Sequence, residues 1–121
     1  METFYDKLGE ERLNQLLDNF YDKVFESDLI RHLFEKTPKE DIKLKQKLFL
    51  TQLLGGDPLY SERFGPPQMR KKHIPHQITE KAKDEWLRCM RESIDMLNWE
   101  QHLKQALYDI FPKIAEHMVN S

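Results

Sequence analysis

The chain has 121 residues, of which 39% are hydrophobic and 33% are charged, and its 19 basic and 21 acidic residues leave a formal net charge of −2. These values are typical of a single globular domain, residues 1–121, with enough chain to bury a core, and the lone cysteine, Cys89, excludes a disulfide framework. The balanced charge excludes general electrostatic attraction to nucleic acid or to an anionic membrane.

Apolar residues recur at three- and four-residue spacing along most of the chain, which predicts an all-α fold. The first long helix is predicted over Glu10 to Ser27, with one apolar face made of Leu13, Leu16, Leu17, Phe20, Tyr21 and Val24. A short helical piece is expected near Leu29 to Phe34. Thr37, Pro38 and Glu40 then have the spacing of an N-cap, a first-turn proline and a capping box, so a third helix is expected to begin near Pro38.

The third helix is predicted to end at a Gly-Gly pair and to turn four residues toward the core: Ile42, Phe49, Leu50 and Leu53. The segment from Gly55 to Pro67 holds three of the four glycines and three of the six prolines, which predicts one long loop. A short helix from Gln68 to His73 should follow, ended by Pro75.

Thr79 is placed to cap a long helix from Glu80 to about Leu97. Its predicted inward face consists of Ala82, Trp86, Cys89, Met90, Ser93 and Leu97. The last helix is predicted from about Trp99 to Val119 with a kink at Pro112, because a proline inside a helix removes one backbone hydrogen bond. Its predicted inward face consists of Leu103, Ala106, Leu107, Ile110, Ile114 and Met118.

Three polar side chains lie on faces that these patterns predict to be buried: Tyr21, Gln46 and Trp86. A buried phenol, amide or indole without a hydrogen-bond partner costs roughly 1 to 3 kcal/mol. Taken singly, a buried tyrosine or tryptophan is more often core filling that bonds a nearby carbonyl, whereas a glutamine on an apolar face is less natural. The three together suggest a shared polar target inside the protein.

His73 ends the basic run at residues 70–72 and precedes Ile74 and Pro75. A solvated surface histidine is the ordinary interpretation of such a pattern. The alternative is a metal ligand whose neighbouring cations face anionic groups on the molecule that carries the metal. A structural zinc site fits badly, because Cys89 is alone and the other histidines lack paired ligand spacing. One histidine with an open coordination position opposite suits haem.

Several short segments occur together in a fixed order: NFY at 19–21, Phe34, KQKLFLTQ at 45–52, GGDPLY at 55–60, RKKHIP at 70–75, Ile78-Thr79, Trp86 and HMVN at 117–120. In this order and spacing the sequence resembles the group II truncated haemoglobins of bacteria, over nearly the whole chain. The resemblance implies a truncated globin fold, in which a two-on-two helical sandwich surrounds haem b.

The resemblance also implies residue roles. His73 becomes the proximal iron ligand, and the distal side carries a hydrogen-bond network of Tyr21, Gln46 and Trp86. Ile42 stands at the distal entrance, where the family often has a small residue or threonine, so a narrower apolar access is expected. The implied apolar contacts to haem are Phe34, Phe49, Leu50, Leu53, Ile78 and Met90. The implied donors to the haem propionates are Lys45, Arg70 and Lys72.

Donors directed at an O₂ molecule that has gained electron density bind the liganded state more strongly than the empty one, so the resemblance implies tight O₂ binding through ferrous iron. We expect redox chemistry with oxygen, nitric oxide or peroxide, such as a haem-dependent peroxidase or a nitric oxide dioxygenase, rather than oxygen transport. An unidentified reductase would then serve as partner. The alternatives are a non-catalytic oxygen or sulfide sensor or storage module, and a haem-free helical interaction domain.

The expected compartment is the cytoplasm. The first residues, METFYDKLGE, lack the basic and apolar stretches of a signal peptide. No apolar run in the sequence approaches the ~20 residues that a membrane-spanning helix needs. We therefore expect no membrane partner and no nucleic-acid partner.

Overall fold

The computed structural model describes residues 2–67 and 77–120, and every regular element within these two ranges is helical. The first range contains α1 (Phe4–Leu8), α2 (Glu10–Glu26), a short 3₁₀ helix (Arg31–Leu33), α3 (Lys39–Leu53) and α4 (Leu59–Phe64). The second range contains α5 (Glu80–Asp95), α6 (Gln101–Tyr108) and α7 (Phe111–Met118). The all-α prediction is confirmed. Within these ranges no helix combines the length and the apolar character needed to cross a bilayer.

The core is built around α2. This helix packs against both α3 and α5, and α5 packs in turn against α6 and α7. The predicted apolar face of α2 is buried along its whole length: Leu13, Leu16, Leu17, Phe20, Tyr21 and Val24. The i, i+3, i+4 spacing thus predicted this face correctly.

The predicted start of α5 is also confirmed. Thr79 is its N-cap, and the Thr79 hydroxyl accepts a hydrogen bond of 3.1 Å from the backbone N–H of Ala82. The inward face is buried as predicted at Ala82, Cys89, Met90, Ser93 and Leu97, and Trp86 is half-buried. Burial raises the pKa of the Cys89 thiol, which keeps it protonated and unreactive.

Two predictions around α3 are wrong. The N-cap of α3 is Pro38 rather than Thr37, and no side chain caps this helix, so the predicted capping box does not form. The supposed loop from Gly55 to Pro67 contains α4. Its glycines and prolines lie only at its two ends, and residues 59–64 include neither type, so nothing prevents a helical turn there.

The C-terminal region also differs from its prediction. Instead of one kinked helix there are two, and Pro112 lies in the first turn of α7, where its missing N–H has no intrahelical partner to lose. The buried positions differ from the prediction as well. Ala106, predicted to be inward, is exposed, whereas Phe111 and Ala115 are buried.

The sequence patterns did not predict α1, because five residues are too few to display a helical period. Its start is nevertheless well defined: Thr3 and Asp6 form a capping box through two hydrogen bonds of 3.0 Å. The backbone N–H of Tyr5 donates to the Leu54 carbonyl at 2.9 Å, which ties α1 to the end of α3. A side chain on Gly56 would meet Tyr5 and Thr51 at 2.9–3.0 Å, so only glycine fits at this junction.

Residues near the end of the chain bind the start of α5. The backbone N–H of Asn120 donates to the Ile78 carbonyl, and the Ile78 N–H donates to Asn120 Oδ1, both at 3.0 Å. Lys83 Nζ lies 2.7 Å from Glu116 Oε2 on α7. The two contacts hold α7 against the first turns of α5.

The contrast between the predicted and observed helix caps is testable. We expect Thr79→Ala to lower the free energy of unfolding by about 1 kcal/mol, because it removes the side-chain acceptor of an N-cap hydrogen bond. Thr37→Ala should change it by less than about 0.5 kcal/mol, the usual range for an exposed residue without such a bond. Denaturant unfolding of both variants, in one haem and ligand state, measures the difference. Equal effects would contradict the cap assignment.

Candidate functional site

Tyr21 is buried and surrounded by aromatic rings. Only 2% of its surface is exposed. Its ring centroid lies 5.0 Å from that of Phe20, 6.2 Å from that of Phe34 and 6.5 Å from that of Phe25. Desolvation raises the pKa of Tyr21 above its ordinary value of 10.0. The phenol therefore stays protonated and available as a donor.

Trp86 reaches the same region from α5. The Phe20 ring lies between the two side chains: its centroid is 5.1 Å from the Trp86 ring at an interplanar angle of 70°, and 5.0 Å from the Tyr21 ring at 80°. On another side, Trp86 lies 5.8 Å from the ring of Phe111. The two edge-to-face contacts of Phe20 fix the orientation of the rings as well as their position. The packing of α2 against α5 thus brings Tyr21 and Trp86 together around one phenylalanine.

Gln46 and Ile42 lie one turn apart on α3, and both are half-buried. Helix α3 also packs against α2, the helix that carries Tyr21, and Ile42 packs against the core cluster. The amide of Gln46 has donors and an acceptor to satisfy at a position where its helical neighbours Phe49 and Leu50 are buried.

None of these three polar side chains has a hydrogen-bond partner within residues 2–67 and 77–120. In the same ranges, every side-chain nitrogen or oxygen that is fully shielded from solvent does have one. The polar atoms of Tyr21, Gln46 and Trp86 must therefore reach open space, although Tyr21 is almost completely enclosed. Polar groups without a protein partner beside buried apolar side chains are candidates for contact with a polar ligand.

Most of the residues predicted to contact haem with apolar side chains are buried. Phe49, Leu50, Ile78 and Met90 are buried in the core cluster, and Phe34 packs against it. Leu53 differs, because 36% of its surface is exposed and its predicted inward orientation is only partly realised. Phe49 lies 5.7 Å from the ring of Tyr60, which links α3 to α4.

The predicted cations are only partly described. Lys45 is exposed, and its Nζ lies 5.0 Å from the centroid of the Phe64 ring. Arg70, Lys72 and His73 lie outside the described residues, as does the predicted helix Gln68 to His73. Among the residues that are described, no group of three or more His, Cys, Asp and Glu could hold a metal ion. A haem group does not need such a cluster, because a single histidine imidazole can hold its iron.

Sequence patterns assigned Phe20 and Phe111 no part in the site, although Phe20 contacts both Tyr21 and Trp86. Its place beside Tyr21 on the α2 face was visible in the sequence. Its contact with Trp86, which joins positions far apart in the chain, was not. The apolar walls and the unmatched phenol, amide and indole fit a haem group with a small polar ligand.

The chain is similar to known proteins along nearly its whole length. Residues 3–120 match the family model described as bacterial-like globin. Group 2 truncated hemoglobin YjbI of Bacillus subtilis is 41% identical over 116 residues, which are 96% of this chain and 87% of that protein. Two-on-two hemoglobin-3 of Arabidopsis thaliana is 37% identical over 120 residues, covering 97% of this chain and 69% of that protein.

Solved structures agree with these matches. The crystal structure of the truncated oxygen-avid haemoglobin from Bacillus subtilis has a TM-score of 0.92 and 39% identity, covering 98% of this chain and all of that one. The group II truncated haemoglobin from Bacillus anthracis has a TM-score of 0.93 and 34% identity, covering 100% of this chain and 93% of that one.

The family match, the sequence identities and the fold all point to the same group of proteins. Globins of this family hold haem b and bind O₂ and other diatomic ligands. The chain belongs to the bacterial-like globin family, within it to the group II truncated haemoglobins, and its cofactor is haem b.

Proposed function

We propose that this globin retains O₂ tightly, with Tyr21 and Trp86 as hydrogen-bond donors to the ligand and Gln46 as the third polar member of the distal group. The observation that supports it is the set of unmatched polar side chains: a buried phenol and two half-buried groups without a hydrogen-bond partner in the described residues. A ligand that accepts hydrogen bonds would satisfy all of them.

The energetic argument rests on the chemistry of the donors. When bound, ferrous haem would supply electron density to O₂, which would make O₂ a better hydrogen-bond acceptor. The Trp86 indole can only donate, and the Tyr21 phenol, protonated because of its burial, also donates. If each contact contributes about 1.5 kcal/mol, the two together slow ligand escape by roughly a hundredfold. Retention of that kind opposes simple oxygen delivery.

The other roles follow from the same proposal. His73 would hold the haem through its iron. Ile42, half-buried one turn before Gln46, would narrow the distal entrance with an apolar side chain. The haem contacts would be Phe34, Phe49, Leu50, Leu53, Ile78 and Met90, with Lys45, Arg70 and Lys72 toward the propionates. Lys45 would have to leave the Phe64 ring to take that part.

We further propose that retained O₂ is consumed in redox chemistry, because a ligand that leaves slowly has longer to react. Nitric oxide, O₂ and one electron together give nitrate, so a reductase would be needed for repeated turnover. The competing function is a sensor or storage protein. Loss of nitric oxide or peroxide over many turnovers with a reductant present would support the redox function, and a stoichiometric change would support the competitor.

Replacement of the indole tests the distal assignment. We expect Trp86→Phe to speed O₂ release at least about tenfold, since it removes one donor contact of about 1.5 kcal/mol. Stopped-flow measurement of the O₂ dissociation rate gives the answer. Trp99→Phe is the matched control, because Trp99 packs against Phe4 and Arg12, away from Tyr21. An unchanged rate in Trp86→Phe would show that the indole does not reach the ligand.

The axial assignment is tested at the two neighbouring histidines. His73→Ala should abolish or severely weaken haem retention, because the iron loses its bond to the protein. His76→Ala should leave the Soret band and the rate of haem transfer to an acceptor protein close to wild type. If the two variants behaved in the opposite way, the axial ligand would be His76.

The burial of Tyr21 predicts a pH dependence. Because the pKa of Tyr21 in the folded chain is raised above 10.0, its hydroxyl remains a donor, and the O₂ dissociation rate should stay level between about pH 6 and pH 9. Above pH 10.0 the unfolded phenol ionises first, so this residue's contribution to stability is lost as the pH rises. Tyr21→Phe should reduce that alkaline loss. An alkaline profile identical to wild type would contradict the raised pKa.

A further inference from the structure

A hydrogen bond between α2 and α5 lies beside the distal residues. Ser27, at the C-cap of α2, is buried with 7% of its surface exposed. Its hydroxyl donates to Glu85 Oε2 at 2.5 Å. Glu85 directly precedes Trp86 on α5, and 58 positions separate it from Ser27 in the sequence. The bond therefore joins two helices that the chain itself does not connect closely.

Glu85 is fixed from a second side. Arg88 Nε donates to Glu85 Oε1 at 2.6 Å and Arg88 Nη2 donates to Oε2 at 3.0 Å, a two-pronged contact that holds the carboxylate plane. Arg88, and to a smaller extent Ser27, lower the pKa of the Glu85 carboxyl. Only 12% of the Glu85 side chain is exposed. It thus remains an ionised acceptor for the Ser27 hydroxyl.

The same network returns to α2 at a second point. Arg88 also pairs with Glu92, and Glu92 Oε1 lies 3.6 Å from Lys23 Nζ. The side chains of Lys23 and Glu92 are 27% and 46% exposed, so this ion pair is the weaker of the two interactions between α2 and α5. The Ser27–Glu85 bond is the shielded one, and it lies adjacent to the residue whose ring contacts Phe20.

Successive residues on an α-helix point about 100° apart. With Glu85 bound to the end of α2, the rotation of α5 about its axis is restricted, and the direction of Trp86 toward Phe20 is restricted with it. We propose that Ser27 and Glu85 are positioning residues that aim the Trp86 indole at the distal ligand. This inference rests on the proposed function, because it assumes that Trp86 donates to that ligand.

The test begins with Ser27→Ala. Only the hydroxyl is lost, and Glu85 keeps Arg88, so the fold should persist. We expect O₂ release to accelerate about fivefold, the effect of weakening the indole contact by about 1 kcal/mol. In the ferrous protein saturated with CO, the indole N–H resonance of Trp86 should shift, whereas that of Trp99 should not. Ser27→Thr keeps the hydroxyl and should restore the wild-type rate and resonance.

A second variant probes the acceptor. Glu85→Gln keeps an oxygen for the Ser27 hydroxyl but loses the charge that attracts Arg88. We expect O₂ release faster than wild type but slower than in Ser27→Ala. A rate equal to wild type in Ser27→Ala would overturn the inference.

Double-mutant analysis separates positioning from general loosening. If Ser27 acts through Trp86, Ser27→Ala should add no acceleration in a Trp86→Phe background. Lys83→Ala is the matched control, because Lys83 lies on the same helix but pairs with Glu116 of α7. It should lower the unfolding midpoint and leave the O₂ dissociation rate unchanged.

The outcomes distinguish the two proposals. An equal acceleration by Ser27→Ala with or without the indole would overturn the positioning role while leaving Trp86 as a donor. So would a wild-type rate in Ser27→Ala when Trp86→Phe is fast. If Trp86→Phe itself had no effect, the proposed function and this inference would both be overturned.

Discussion

The packing of α2 against α5 around Phe20 is the interaction on which the rest of the site depends. One ring touches Tyr21 from the same helix and Trp86 from the other, at centroid distances of 5.0 and 5.1 Å. Tight aromatic packing has little tolerance for displacement, because a gap of less than 1 Å already removes much of the dispersion attraction. The polar ends of both residues are therefore placed by apolar contacts rather than by hydrogen bonds to the protein.

This arrangement leaves polar side chains without a hydrogen-bond partner in the described part of the protein. A protein interior normally pairs its buried polar groups, and the described part of this chain does so wherever an atom is fully shielded. Tyr21, Gln46 and Trp86 instead remain unmatched within that part of the chain. Their burial costs stability, which the long apolar face of α2 offsets. Under the proposed function, a ligand that accepts hydrogen bonds would recover this cost and favour the liganded state.

Helix α5 combines two environments within a few residues. Trp86, Cys89 and Met90 pack inward, while Glu85, Arg88 and Glu92 form a charged network toward α2, and Lys83 pairs with Glu116 on α7. Glu85 is largely shielded from solvent, whereas Arg88 and Glu92 are about half exposed at the margin of the core. The apolar side carries the indole, and in our proposal the charged side restricts how the helix can rotate.

The sequence alone determined the buried face of α2, because that face depends on local apolar spacing. It also determined the start of α5, because the Thr79 side chain caps the helix locally. The family resemblance added the cofactor, which the comparisons bear out. The short helical piece near Leu29 to Phe34 was predicted, but α1 and α4 were missed, since they form with contacts such as Tyr5 to Leu54 and Gln52 to Ser61. Only the tertiary structure decided that Phe20 joins Tyr21 to Trp86 and that Ser27 bonds Glu85. Both contacts cross between helices far apart in the chain, and no local pattern encodes which distant residue a side chain will meet.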